Sequence, residues 1–280
     1  MTAAGDEAIV PDGLDATLVL LRHGETEYIA EGRFQGRAET PLTALGRRQA
    51  ALAGDRLAHP TRSPALPVPS GPPREIVHSP LRRTRQTAVA AADAMAEPGA
   101  FGVEVPVRAD SGLFEIAQGA WEGLRHDEIL ERYAAELAGW RRRPTELWAP
   151  GGEPLTDVRA RVRPMLRTVL TTLADGRAAG TLDRSQVSGY RASSLADDRP
   201  WSILVGHDGV FKVLLLTLLD LPLERFWSFS FGLCAISVVE IRAGRPVLVA
   251  MNLTDHLAPL QEETSAAREQ TAERQRAGAL

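Results

Sequence analysis

Three times in this sequence an apolar run of strand length stops at a polar cluster and gives way to a helix-forming stretch. The three are LVLL–RHGET (18–26), EIVH–SPLRRTRQT (75–87) and SILV–GHDGV (202–210). Short apolar runs bounded by polar residues read as buried strands. Strands that alternate with helices imply a three-layer α/β/α sandwich around a mainly parallel central sheet. In open sheets of this kind the crevice beyond the carboxyl ends of the strands is the usual ligand site. The pattern therefore predicts that Arg22, His23, the arginines after Ser79, and His207 gather at one end of the molecule.

The other segments fit the same alternation. Thr43 is placed to cap a helix in PLTALGRRQAALAGDRLAH, and Ser79 with Pro80 marks the start of another. The Pro-rich connector 60–74 cannot be helix, and 102–108 reads as extended. Residues 126–143 and 155–174 carry helical periodicity, the second with a bend expected at Pro164. Residues 208–221 read as a largely buried helix, and 234–253 as a hairpin turning at Ala243–Gly244 that adds antiparallel strands at a sheet edge. The expected organisation is a flexible tail over 1–15, one α/β domain over 16–260, and a polar tail over 261–280. Within the domain a small helical cap is expected at about 115–150 and a loop insertion, without a steady apolar period, at about 175–200.

Composition excludes several classes. A net charge of -4 lacks the basic excess of a general nucleic-acid binder. The longest apolar run, VFKVLLLTLLDLPL, is too short to span a bilayer and carries Lys212, the sole lysine, and Asp220. The amino terminus lacks the basic-then-apolar pattern of a signal peptide. One cysteine, Cys234, allows neither an internal disulfide nor a thiolate metal cluster. The expectation is a soluble cytoplasmic protein with no nucleic-acid or membrane partner; the oligomeric state is open, a homodimer among the options.

The second polar cluster contains an anomaly. Arg82, Arg83 and Arg85 crowd the first turns of a helix, where the macrodipole disfavours cations, so at least one should face an anion. Helix N-termini bind phosphate through free N–H groups, and guanidinium adds bidentate contacts to phosphate oxygens. With Arg22 delivered from the first strand, the implied ligand is phosphate. The histidines then have three readings. Metal ligation is disfavoured, because flanking arginines repel a cation and no metal-binding spacing is present. An imidazole could act as a nucleophile towards phosphorus. Each could also be an ordinary polar residue satisfied by backbone, which the shared position after strands and the arginines argue against.

The residues LRHGET, GRFQGRAETPLTALGRRQA, SPLRRTRQTA, LFEIAQGAWEG, PGGEPLTDVRARV, VGHDGV and MNLTDHL, in this order from about Leu18 to Leu257, resemble the histidine phosphatase superfamily of phosphoglycerate-mutase-like proteins. The resemblance implies that His23 is the nucleophile that becomes phosphohistidine, and that Arg22 and Arg83 bind phosphate. It implies that His207 hydrogen-bonds the transferring group, that Glu115 is the general acid/base, and that Thr26 and Gln35 give supporting contacts. It further implies a metal-independent phosphatase with no cofactor, acting on a small phosphorylated metabolite. Phosphoryl transfer spreads charge over equatorial oxygens, which suits preorganised cations and donors.

Two other functions share these residues: a cofactor-dependent phosphoglycerate mutase, and a non-catalytic protein that binds a phosphorylated ligand. AQGAWEG and PGGEP look like the phosphatase branch. The chain leaves the family pattern at Ile29, where the family usually has asparagine, and Glu39 stands where it often has aspartate. Trp121, Trp140, Trp148 and Phe114 fall in the predicted cap, where packing competes with a substrate-lining role.

Overall fold

The computed structural model describes residues 8–175 and 199–263. Its centre is a sheet of β1 (Ala16–Arg22), β2 (Ile76–His78), β3 (Val107–Ala109), β4 (Trp201–Gly206), β5 (Ile236–Arg242) and β6 (Arg245–Leu253). The spatial order is β3-β2-β4-β1-β5-β6. β3, β2, β4 and β1 are parallel; β5 runs antiparallel to both β1 and β6. The helices are α1 (Glu27–Ala30), α2 (Ala44–Ala58), α3 (Arg82–Ala96), α4 (His126–Arg142), α5 (Leu155–Asp175) and α6 (Asp208–Leu218). This is the α/β architecture with a mostly parallel sheet that the repeated pattern requires.

β1 shows why the pattern works. Leu18 and Leu20 enter a core shared with α5, α6 and Ile129, Leu137 and Trp140 of α4. Val19 and Leu21 enter the opposite core, against Ala50, Ala53 and Leu57 of α2 and Ala88, Ala91 and Met95 of α3. A strand covered on both faces reads as a continuous apolar run rather than an alternation. The hairpin turns at Ala243 and Gly244, both with positive φ (48° and 80°), the backbone twist that two-residue hairpin turns prefer.

Register places the polar clusters side by side. Arg22 pairs with Gly206, and Val205 pairs with both Leu21 and His78. The following residues leave the sheet abreast: the His23 N–H donates to the Gly206 carbonyl at 3.1 Å, and the Ser79 N–H to the Val205 carbonyl at 3.0 Å.

Several details depart from the sequence reading. Ser79 and Pro80 do not begin the helix that follows β2; α3 starts at Arg82 with Leu81 at its cap, and Ser79 and Pro80 carry the chain off the strand. Of the stretch 102–108 only its end pairs, as β3. The end of the expected tail is packed: Leu14 is buried, its carbonyl accepts from the Gly244 N–H, and Asp15 accepts from the Ala243 N–H. Most of the insertion expected at 175–200, and most of the tail from 261, lie outside the described residues. No helix of the described residues is long and apolar enough to cross a membrane.

Candidate active site

The structure brings His23, His207, Arg22, Arg83, Gln35, Thr26 and Glu115 into one linked set of contacts. His23 follows β1 and His207 caps α6, and their rings lie 5.0 Å apart edge to face. Both are buried. His23 Nδ1 faces the carbonyl of Gly24 at 2.7 Å. A carbonyl only accepts, so Nδ1 carries the proton and Nε2 holds a free lone pair. His207 is the opposite case. Arg83 Nε lies 3.3 Å from His207 Nδ1, and guanidinium only donates, so Nδ1 is the acceptor and Nε2 carries the proton. Among the described residues His207 Nε2 is buried without a partner. Burial first, then the charges of Arg83 and Arg22, hold the His23 imidazole well below the usual histidine range; the Gly24 carbonyl opposes this. Burial, Arg83 and His23 do the same for His207. Both rings are therefore neutral near pH 7.

Arg83 is the arginine of the SPLRRTRQT cluster that turns inward; Arg82 and Arg85 are exposed. It is fully buried, and its fork donates to the carbonyls of Ala38 (2.7 Å) and Gly36 (2.8 Å). Gln35, oriented to satisfy its neighbours, donates its amide to the hydroxyls of Thr26 and Thr40, and its carbonyl accepts from Arg83 Nε at 2.6 Å. The Arg83 Nε–H is thus shared between Gln35 and His207. Burial pushes the Arg83 guanidinium down to about 10, which leaves it charged at neutral pH. Arg22 donates through Nη1 to the Phe231 carbonyl at 2.5 Å, while its Nε is buried without a partner among the described residues. Thr26 is buried, and its hydroxyl also accepts from the Ile29 N–H at 3.4 Å, capping the short α1. With two hydrogen bonds accepted, Thr26 has only its own proton left to give.

Glu115 approaches from the loop after β3. One carboxylate oxygen accepts from the Ile116 and Val210 N–H groups, both at 2.9 Å, and the other from the Gly209 N–H at 3.2 Å. The carboxylate therefore sits on the N-terminus of α6, beside His207. The residue keeps some accessible surface, but its charged end is enclosed. Burial raises its pKa above the usual carboxylate value, and the Asp208 charge adds to this; the N–H groups of Ile116 and Gly209 and the charge of Arg83 act the other way.

Residues the sequence reading did not single out brace this carboxylate. Arg37 Nε and Arg161 Nη2 both donate to the Glu115 carbonyl, at 3.1 and 3.3 Å, and both pair with Glu153. Glu153 of PGGEP stands eight residues ahead of Arg161, whereas Arg37 is distant in the chain. Of the cap aromatics, Trp121 is fully buried and packs on Phe34 and Trp140; Trp148 is exposed. Ile29 is half-buried on α1 and offers no polar group. Among the described residues no group of three or more His, Cys, Asp or Glu side chains could hold a metal ion. The arrangement can supply a neutral imidazole lone pair, two guanidinium groups, an imidazole N–H donor and a carboxyl group whose proton is retained more readily than usual.

The sequence model of the histidine phosphatase superfamily (branch 1) matches residues 18–180 and 187–254. The chain belongs to that superfamily. It is 36% identical over 225 residues to a glucosyl-3-phosphoglycerate phosphatase of Mycolicibacterium vanbaalenii, covering 80% of this chain and 83% of that one. It is 27% identical over 249 residues to phosphoserine phosphatase 1 of Hydrogenobacter thermophilus, covering 88% and 96%. The solved structure of a mycobacterial glucosyl-3-phosphoglycerate phosphatase in complex with inorganic phosphate superposes with a TM-score of 0.66 at 30% identity, over 86% of this chain and 99% of that one.

Proposed function

We propose that this enzyme hydrolyses the phosphate monoester of a small metabolite, without a metal, through a phosphohistidine on His23. The observation that carries the reading is the pair of complementary tautomers. His23 presents a lone pair at Nε2 and His207 an N–H at Nε2, in rings 5.0 Å apart. A nucleophile and a donor to the equatorial oxygens are what in-line phosphoryl transfer needs. Arg22 and Arg83 neutralise the oxygens' charge. Glu115 gives its proton to the leaving oxygen, then, ionised, activates the water that cleaves phosphohistidine. Gln35 and Thr26 hold Arg83 and the loop after His23 in place. A small phosphorylated metabolite as substrate supports a cytoplasmic location, and the buried free thiol of Cys234 is compatible with a reducing compartment.

Both named relatives act on phosphate esters of three-carbon acids or their glycosides, so those compounds head a substrate panel. The test is phosphate release from that panel, with trapping of acid-labile phosphate on the chain and His23→Ala as control. Release that depends on His23 and passes through the labile adduct is the expected result. Transfer of the phosphoryl group to a second phosphoglycerate, with no free phosphate, would make the enzyme a mutase. Absence of both the adduct and phosphate release with every ester would favour a protein that binds a phosphorylated ligand.

A further inference from the structure

The helix α6 is apolar apart from Asp208, Thr217 and the sole lysine, Lys212. Lys212 is 5% exposed, and its ammonium lies 2.6 Å from Asp208 Oδ2, over the rings of Trp227 (4.9 Å) and Phe226 (5.2 Å). Removing an ammonium from water costs several kcal/mol before pairing restores any of it, so a buried lysine in an apolar helix needs a reason. The other oxygen of Asp208 supplies one. Oδ1 accepts from the Phe231 N–H at 3.0 Å, and the Phe231 carbonyl accepts from Arg22 Nη1 at 2.5 Å. The Phe231 ring is buried against Phe211, their centres 5.3 Å apart, which anchors the segment.

We propose that Asp208, held by Lys212, is a positioning residue that fixes the Arg22 guanidinium through the backbone of Phe231. The contact runs from Lys212 to Asp208, then to the Phe231 N–H, and from the Phe231 carbonyl to Arg22. Neither Asp208 nor Lys212 needs to touch the ester. The pair orients an arginine whose Nε is buried and has no partner among the described residues. Without the clamp, Arg22 must be ordered at the moment of binding, and the phosphate site loses preorganisation. The inference rests on the proposal that Arg22 binds phosphate.

Asp208 also lies near Glu115, so its removal could act on the acid instead. A double-mutant cycle separates the two routes. Phosphate binding by the full chain is measured by calorimetry, and kcat/KM for p-nitrophenyl phosphate is measured for D208A, D208N, K212M, R22M and R22M/D208A, each with a melting curve. D208A is expected to raise the Kd of inorganic phosphate about tenfold, the scale of one hydrogen bond to a charged group. D208N keeps an oxygen for the Phe231 N–H and is expected to stay within roughly threefold of wild type. In the R22M background D208A should cost less than about twofold in kcat/KM. Equal losses with and without Arg22, or a D208A Kd within about twofold of wild type, overturn the proposal. Should D208A fail to fold, K212M carries the test: roughly threefold weaker phosphate binding with Arg22 present is expected, and no change overturns it. Wild-type chain that binds no phosphate overturns the active-site reading as well, whereas normal wild-type binding with additive variants overturns the clamp alone.

Discussion

Arg83 Nε and His207 Nδ1 stand 3.3 Å apart, and that contact fixes where the second histidine keeps its proton. A guanidinium has no lone pair to offer, so the ring nitrogen facing it must accept, and the proton moves to Nε2. The Gly24 carbonyl has the reverse effect on His23. Two chemically identical side chains thus become an acceptor and a donor because one faces a cation and the other a carbonyl. Replacing Arg83 by methionine keeps the volume and removes the donor and the charge. The expected outcome is a fall in kcat/KM of about 10³, with Arg83→Lys losing roughly 10² because it keeps charge but not the fork. Steady-state kinetics on p-nitrophenyl phosphate with a melting curve for each variant checks this; a loss below tenfold for Arg83→Met would remove Arg83 from the proposed machinery.

Glu115→Gln separates acid catalysis from the rest. A phenolate leaving group departs without a proton, while an alkoxide needs one. The variant should therefore lose about 10³ in kcat/KM on an alkyl phosphate and less than tenfold on p-nitrophenyl phosphate. Equal losses on the two esters contradict the assignment.

The same variant makes a prediction about stability. The folded-state pKa of Glu115 is raised above its reference value of 4.5. A raised folded pKa means that the stabilisation is complete below the unfolded value and is lost as pH rises through the folded value. Glutamine has no such loss. The Tm of Glu115→Gln minus that of wild type should thus increase between pH 4 and pH 8, the two histidines being common to both chains. A difference that is flat or falls with pH contradicts the raised pKa.

The fold was legible because β1, β2 and β4 are covered on both faces and so write themselves as apolar runs, and because the polar clusters sit where each run ends. Parallel register then aligns the ends, which is why Arg22, His23, Arg83 and His207 could be placed together from sequence. What stayed hidden depends on side-chain direction or on contacts distant in the chain. Nothing in SPLRRTRQT says from local chemistry which arginine turns inward; Arg83 does because its face of α3 is the buried one, with Thr84, Thr87 and Ala88. The Arg37–Glu153–Arg161 clamp joins three segments whose spacing carries no period. The Asp208–Lys212 pair, by contrast, had a signal: an i,i+4 acid and base in an otherwise apolar helix.

Glycine in RHGET and in TALGRR has a role that only the structure shows. A Cβ on Gly46 would lie 2.1 Å from the Glu25 carbonyl oxygen, and one on Gly24 would lie 2.4 Å from the Gly46 carbonyl oxygen. The loop carrying His23 is therefore pressed backbone to backbone against the first turn of α2, where Thr43 donates to the Glu25 carboxylate at 2.8 Å. Gly46→Ala must push the loop away. Expected are a destabilisation of about 3 kcal/mol by denaturant titration and a drop in kcat larger than the folded fraction explains. Wild-type kcat in the folded variant would show that the loop's position is set elsewhere.

Ile29 stands where the resemblance to the family leads one to expect asparagine, and its backbone is already engaged in the structure. The N–H of Ile29 is held by Thr26, so the short α1 forms whatever side chain stands there. Thr26 and Gln35 are committed to each other and to Arg83, so neither is free to swing into the place of an amide. An asparagine at 29 would add a donor on a half-buried side chain without displacing any existing hydrogen bond. Ile29→Asn is expected to hold or raise turnover of small phosphate esters, by up to about tenfold, with Tm within a few degrees of wild type. A loss of more than about tenfold would instead show that the isoleucine packs against the leaving group and sets the enzyme's specificity, and a substrate panel run on both forms would then reveal which esters the apolar side chain favours.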